Sequence, residues 1–355
     1  MKSIQSVNNF IYFGKPGYLQ LNEMLQKLQP SKIFILTDVN TQKFCASLFL
    51  QQLQTNIDIE VLEIEEGEKH KNLETCQALW ETLSDFEADR KALLINLGGG
   101  VVTDLGGFVA STFKRGIAYI NIPTSLLAMV DASVGGKTGI DLGYLKNQIG
   151  VINNPEMVLI DVAYLATLPQ QEMRSGLAEM LKHGLIYDAA YWKKMKDLSK
   201  LSSKDLEQLI YESVIIKNTI VCQDLEEDGI RKTLNFGHTL GHAIESYFMQ
   251  NTAKKSLLHG EAVAIGMILA AYLSTKLTGL SGKELAEIKA VILHNFQRVA
   301  FADEDIQPII DLLKFDKKNS HGNINFVLLE QIGKPIIDCK VSNSLIKEAF
   351  NFYAE

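Results

Sequence analysis

Cysteine is scarce in this chain. Its four residues, Cys45, Cys76, Cys222 and Cys339, lie far apart in 355 positions and form no C-x-x-C pair. They read most simply as reduced, buried thiols in a reducing cytosol. No basic run or arm offsets the net charge of −7, which argues against a nucleic-acid surface. It leaves room for a phosphorylated substrate, which needs only a local cluster of cations. The N-terminus, M-K-S-I-Q-S-V-N-N-F, lacks the apolar core of a signal peptide. The longest apolar run, near Ala262–Leu273, reads as too short and glycine-interrupted for a membrane span, which takes about 20 residues. Internal repeats and low-complexity tracts are absent as well. A soluble cytoplasmic protein is expected. The hydrophobic share of 46% and charged share of 22% suit a globular one, long enough for two domains.

Strands and helices alternate through the first half, the signature of an α/β unit with a parallel sheet. K-I-F-I-L-T (32–37) is a β-branched apolar run ending at Asp38-Val39-Asn40. A helical pattern on Phe44, Leu48, Leu50 and Leu53 leads to a second strand near Ile57–Ile64. The charged loop E-E-G-E-K-H-K-N (65–72) opens a helix carrying Leu79 and Leu83. The strand Ala92–Leu97 then runs into Gly98-Gly99-Gly100. Glycines after a core strand let backbone approach a phosphate, and the helix that follows favours an anion, although L-G-G-G-V-V-T-D-L-G-G-F is not a strict G-x-G-x-x-G. A further strand, I-A-Y-I-N-I-P, ends at Thr124-Ser125. Gly135-Gly136-Lys137-Thr138 lacks the start of a Walker A loop. Lys137 and Lys146, with Asp131, Asp141 and Asn147, instead suit a phosphorylated or polyhydroxylated ligand. A solvated loop is credible for Asp141 and less so for Asp131 and Lys137.

After Val158–Asp161 the strands fade, Leu168-Pro169 marks a break, and helical periodicity dominates from Gln171 to the end. The boundary is expected near 165, giving domains 1–165 and 166–355. The first helix beyond it, R-S-G-L-A-E-M-L-K-H-G, sets Glu179, Lys182 and His183 on one face. Three of the seven histidines, His238, His242 and His259, fall between Arg231 and Glu261. His238 and His242 share a helix face, and His259 sits in a Leu-His-Gly-Glu turn. An isolated i,i+4 pair is most often packed structure; the third histidine shifts the balance toward a metal. Two imidazoles and a carboxylate make an open three-ligand site. Thr239 follows His238, so the H-E-x-x-H of a zinc protease is absent. Residues 314–319, K-F-D-K-K-N, form a late basic loop that could close on an anion or face solvent.

Five segments together carry a resemblance: G-G-G-V-V-T-D-L-G-G-F-V-A-S, P-T-S-L-L-A-M-V-D-A-S-V-G-G-K-T-G-I-D, G-L-A-E-M-L-K-H-G, L-N-F-G-H-T-L-G-H-A-I-E and L-H-G-E-A-V-A-I-G-M. In this order and spacing the chain resembles the 3-dehydroquinate synthases, sugar-phosphate cyclases of the shikimate route, over essentially its whole length. The resemblance implies a Rossmann-like NAD-binding domain, a mainly helical metal- and substrate-binding domain, and an active site in the cleft between them. Carried over, Glu179, His238 and His259 would hold one divalent metal, zinc or cobalt, and His242 would be a catalytic partner rather than a ligand. NAD would lie against Asp38, Asn40, Glu68, Lys71, Gly99, Gly100, Val101, Asp104, Thr124, Ser125, Asp131, Lys137, Lys146 and Thr167. Lys137, Asn147, Lys182, Lys217, Arg231, Asn235 and His242 would surround the substrate, with Lys317 or Lys318 from the late loop. In a homodimer Arg115 would reach the neighbour's phosphate pocket. Thr103 and Ser125 depart from the family's usual glycine-like and threonine positions, which implies altered hydrogen bonding rather than lost cofactor binding.

The implied substrate is 3-deoxy-D-arabino-heptulosonate 7-phosphate, whose two anionic ends need separate cationic clamps. The implied reaction oxidises one hydroxyl with NAD, eliminates phosphate, returns the hydride and closes the ring by an intramolecular aldol step, with no net redox change. Two rivals remain from the sequence. One is a related cyclase of the 2-deoxy-scyllo-inosose or epi-valiolone type. The other is a metal-dependent polyol dehydrogenase, against which Arg115, Lys217 and Arg231 count. A catalytically dead scaffold is disfavoured, since no ligand or lysine is missing.

Overall fold

Short β-branched runs at near-regular spacing form the central sheet of the first unit. The computed structural model describes the chain apart from residues 144, 197–201, 252–253 and 316–323, and divides it into Met1–Met173 and Arg174–Glu355. The division falls inside a helix, eight residues beyond the position that the Leu168-Pro169 break suggests. The 3₁₀ turn Val162–Thr167 and the first helical turn after it stay with the first unit.

In the first unit β1 (Ile4–Gln5) and β2 (Phe10–Phe13) precede α1 (Gly14–Leu28). Then follow β3 (Ile33–Asp38), α2 (Val39–Phe44), α3 (Ala46–Leu50), β4 (Ile59–Ile64) and α4 (Leu73–Asp85). The glycine-rich segment makes β5 (Leu93–Gly98) and α5 (Gly100–Thr112), followed by β6 (Ala118–Pro123). β7 (Lys137–Leu142) and β8 (Leu145–Ile152) form a separate antiparallel hairpin, and β9 (Met157–Ile160) returns to the sheet. The sheet order is β1-β2-β9-β6-β5-β3-β4, parallel except for β1 against β2. β5 is buried at all six positions and most of α5 is buried, because both faces of the sheet are covered. α5 lies close on the sheet: a Cβ at Gly106 would stand 2.0 Å from Asn96 Oδ1, so only glycine fits there.

Two features of this unit escape periodicity. The N-terminal strands are too short to register, and the Gly135-Gly136 segment leads into a hairpin instead of an open loop. Asp141 is consequently buried at 8% exposure, while Asp131 and Lys137 are half-buried, which reverses the order expected for a solvated loop. Of the thiols expected to be buried, Cys45 and Cys76 are; Cys222 is exposed and Cys339 half-buried.

The second unit contains α6 (Gln170–Ile186, mostly within it), α7 (Ala189–Met195), α8 (Ser203–Gln223), α9 (His238–Gln250) and α10 (His259–Leu277). α11 (Gly282–Asn295) and α12 (Asp303–Leu312) follow. Helical structure does not run to the end: β10 (Asn325–Gln331) pairs antiparallel with β11 (Lys334–Lys340) before α13 (Asn343–Ala354). α10 is the apolar run around Ala262–Leu273. At 19 residues it is long and apolar enough to cross a membrane, contrary to the sequence reading, but 72% of its apolar window is buried in the unit. It packs against α9, α11, α13 and β10, which explains its all-round hydrophobicity.

Candidate active site

In the first unit, strand register aligns the functional segments. Leu36 pairs with Asn96 and Gly98 with Pro123, so Asp38, the Gly98-Gly99 turn and Thr124-Ser125 share the carboxyl edge of the sheet. Ligands of open α/β sheets bind at this edge. Gly99 caps α5, leaving Gly100 and Val101 at a helix N-terminus that favours an anion. Thr124 N–H donates to the Gly98 carbonyl at 2.9 Å. Thr103 bonds back to the carbonyls of Gly99 and Gly100 at 3.3 and 3.2 Å, inside the first turn of α5. Ser125 Oγ accepts from Ala128 N–H at 3.3 Å. Asp38 caps α2, accepting from Thr41 N–H at 2.7 Å. Asn40 is exposed and donates to Glu66.

A charged cluster lies between α5 and the hairpin. Lys71, 3% exposed, donates to Asp104 and to Asn147 Oδ1 at 2.6 Å each. Burial alone would lower the Lys71 pKa, but Asp104 and then Glu68 outweigh it and hold it above the ordinary lysine value. Lys146 pairs with Glu68 at 2.9 Å. Asp141 accepts from Asn147 N–H at 2.7 Å, and its own N–H donates to the Lys71 carbonyl at 2.8 Å. This grip holds Asn147 in the left-handed region at φ +52°. Burial first, then the charge of Glu68, pushes Asp141 up to about 6. Arg115 and Thr167 are exposed. Lys114 and Arg115 both have left-handed backbone, φ +48° and +70°, uncommon away from glycine.

In the second unit, close helix contacts assemble the histidines. A Cβ at Gly260 would stand 2.3 Å from the Ser175 carbonyl, so the start of α10 lies directly on α6. Gly260 N–H also donates to Ser175 Oγ at 2.9 Å. Glu179 follows Ser175 by one turn, which brings it to His259, the first residue of α10 rather than part of a turn. A Cβ at Gly266 would stand 2.0 Å from the Gly237 carbonyl, so α9 and α10 touch backbone to backbone. His238, the first residue of α9, and His242 thereby face His259. One ring nitrogen from each of the three histidines lies within 4.8 Å of the others.

Glu179 is fully buried, and neither of its oxygens has a well-formed hydrogen bond. Oε1 lies 3.3 Å from His238 Nε2 and 3.7 Å from His259 Nε2, and Oε2 pairs with the buried Lys182. Burial would raise the Glu179 pKa, but Lys182 and then His238 outweigh it and hold it well below the carboxylate range. Burial, assisted by Lys182, lowers His238, so its imidazole is neutral near pH 7. One carboxylate oxygen and two imidazole nitrogens thus converge, a donor set that fits a divalent cation.

In the same unit Lys217 on α8 and Arg231 on the 3₁₀ turn Ile230–Asn235 are buried. Arg231 Nη1 donates to the Leu225 carbonyl at 2.7 Å. Asn235 Nδ2 donates to Glu227 Oε1 at 2.9 Å, and Glu227 is itself left-handed at φ +66°. Glu227 and Glu245, which contacts His259, were not singled out from sequence. Glu227 gives no periodic signal; Glu245, three residues beyond His242 on the same helix, could have been found from the His238–His242 face. Lys317 and Lys318 lie outside the described residues.

The fold is shared with solved synthases, dehydrogenases and reductases. A 2-deoxy-scyllo-inosose synthase in complex with carbaglucose-6-phosphate, NAD+ and Co2+ superposes with a TM-score of 0.82 at 23% identity, over 98% of this chain and 99% of that one. The 2-epi-5-epi-valiolone synthase of Streptomyces hygroscopicus, with NAD+ and Zn2+ bound, gives 0.78 at 26% over 100% and 99%. A protein described as a probable glycerol dehydrogenase from Sinorhizobium meliloti gives 0.62 at 12% over 99% and 98%, and shows the fold alone.

Sequence narrows this class. Residues 61–175 match the family described as 3-dehydroquinate synthase N-terminal and 176–319 its C-terminal counterpart. The 3-dehydroquinate synthase of Parabacteroides distasonis is 41% identical over 338 residues, 95% of either chain. The chain belongs to the 3-dehydroquinate synthase family.

Proposed function

We propose that this chain converts 3-deoxy-D-arabino-heptulosonate 7-phosphate to 3-dehydroquinate and phosphate, with NAD and one divalent metal ion bound. The observation that carries the reading is Glu179, fully buried without a well-formed hydrogen bond and facing two imidazole Nε2 atoms. The 41% identity to a 3-dehydroquinate synthase supports the substrate. When bound, NAD supplies reversible hydride transfer and the metal acidifies a substrate hydroxyl.

The protein's own groups divide the remaining work. Glu179, His238 and His259 hold the cation, and Lys182 keeps Glu179 ionised. Lys182, Lys217 and Arg231 are cations removed from bulk water, where an ion pair with a carboxylate or phosphate is stronger than at the surface. Arg231 is oriented by the Leu225 carbonyl and Asn235 by Glu227. His242, half-buried, is the general acid–base group, a contribution of roughly 10²–10⁴-fold. Gly99 to Asp104 and Thr124-Ser125 take the dinucleotide phosphates and ribose. Arg115, turned outward, serves a partner subunit in a homodimer.

The test follows phosphate release and carbocycle formation together, using metal-loaded protein, the heptulosonate phosphate and catalytic NAD. Equimolar phosphate and dehydroquinate, with no accumulating NADH and loss on chelation, are expected. Steady NADH build-up would replace the reading by a dehydrogenase. Turnover of a different sugar phosphate alone would move it to one of the related cyclases.

A further inference from the structure

We infer that Glu245 is a positioning residue that sets the tautomer and orientation of His259 for metal binding. The inference rests on the reading of Glu179, His238 and His259 as the cation site. α9 carries His238, His242 and Glu245 at i, i+4 and i+7, so one helix face presents all three toward the start of α10. Glu245 is 4% exposed, and its Oε2 lies 3.2 Å from His259 Nδ1.

With Glu245 Oε2 as the acceptor, this contact places the His259 proton on Nδ1. Nε2 is left with its lone pair, and Nε2 is the atom facing Glu179 Oε1 at 3.7 Å. His238 is arranged in the same way by a different group. Its Nδ1 lies 3.2 Å from the Phe236 carbonyl and its Nε2 3.3 Å from the same Glu179 oxygen. Two imidazoles with opposite-side acceptors therefore converge on one carboxylate oxygen with lone pairs, an arrangement that a cation relieves. The acceptors differ in kind: His238 Nδ1 faces a backbone carbonyl, His259 Nδ1 a side-chain carboxyl oxygen held by α9.

Glu245→Ala and Glu245→Gln are compared with wild type and with His259→Ala. The readouts are Co2+ affinity, by competition with a chromophoric chelator, the visible spectrum of the Co2+ form, and the melting temperature of the metal-free form. Glu245→Ala is expected to weaken Co2+ binding about 10–100-fold and to shift the Co2+ bands. Glu245→Gln, whose amide oxygen still accepts from Nδ1, should fall between wild type and the alanine variant. It also carries the test should the alanine variant fail to fold. Wild-type Co2+ affinity and spectrum in the Gln variant and in any folded Ala variant would overturn the inference, whatever the melting temperature, and leave Glu245 a structural buried acid. Undiminished Co2+ binding by His259→Ala would remove the cation-site reading itself, and the inference with it.

Discussion

Lys71 in the first unit finds Asp104 and Asn147 at 2.6 Å each, whereas Glu179 in the second faces two imidazoles at 3.3 and 3.7 Å without a well-formed hydrogen bond to either. Both clusters are buried and both contain a lysine–carboxylate pair. In the first, the contacts close on one another through Asp141 and Asn147, and their product is the left-handed backbone of Asn147. In the second, Lys182 pairs with one oxygen of Glu179 and the imidazole Nε2 atoms face the other. The first cluster satisfies itself; the second leaves Glu179 Oε1 facing two ring nitrogens. A buried charge is costly unless paired, so each cluster should answer to mutation according to what completes it.

The largest effect is expected from Glu179→Gln. It removes the counter-charge of a lysine that is 1% exposed, at a cost of about 3–5 kcal/mol in the metal-free protein. Metal binding and turnover should be lost with it. Urea unfolding of the chelated protein measures the first, and a change below about 1 kcal/mol would mean that Lys182 has another sufficient partner.

Gly266→Ala acts on the second cluster alone. Its Cβ would meet the Gly237 carbonyl at 2.0 Å, so α9 must move from α10, costing about 1–3 kcal/mol and weakening metal affinity. Gly282→Ala, with nothing within 4 Å, should stay within about 0.5 kcal/mol. Equal melting temperatures for the two variants would contradict the close packing described.

Lys71→Met tests the first cluster. Asp104 is 18% exposed and can recover some hydration, so a loss of about 1–3 kcal/mol is expected, smaller than that from Glu179→Gln. The KM for NAD should rise while Co2+ affinity is unchanged. A fall in Co2+ affinity would mean that the two clusters are not energetically separate.

Asp141→Asn should change a pH profile rather than the stability at one pH. The folded protein keeps the Asp141 proton up to about 6, whereas the ordinary aspartate value is 3.8. Its contribution to stability is therefore present below about pH 4 and is lost as pH rises through about 6. The asparagine variant should lose that downward slope, read from urea midpoints at pH 4, 5, 6 and 7. An unchanged profile would assign the slope to other groups.

The sequence by itself determined the alternation that makes the parallel sheet, the helix face shared by His238 and His242, and Glu179 with Lys182 on a second helix. These are local periodicities, and local backbone geometry enforces them. Its five ordered motifs also determined the family. Tertiary structure alone decided that the Gly135-Gly136 segment enters a hairpin that buries Asp141, because glycine permits a turn without specifying its pairing. It also decided that His259 heads α10 against α6, and that Glu245 lies at 3.2 Å from it. Those placements depend on glycines whose missing Cβ atoms let helices from distant parts of the chain touch, and nothing in a glycine's own neighbourhood names the element that will arrive there.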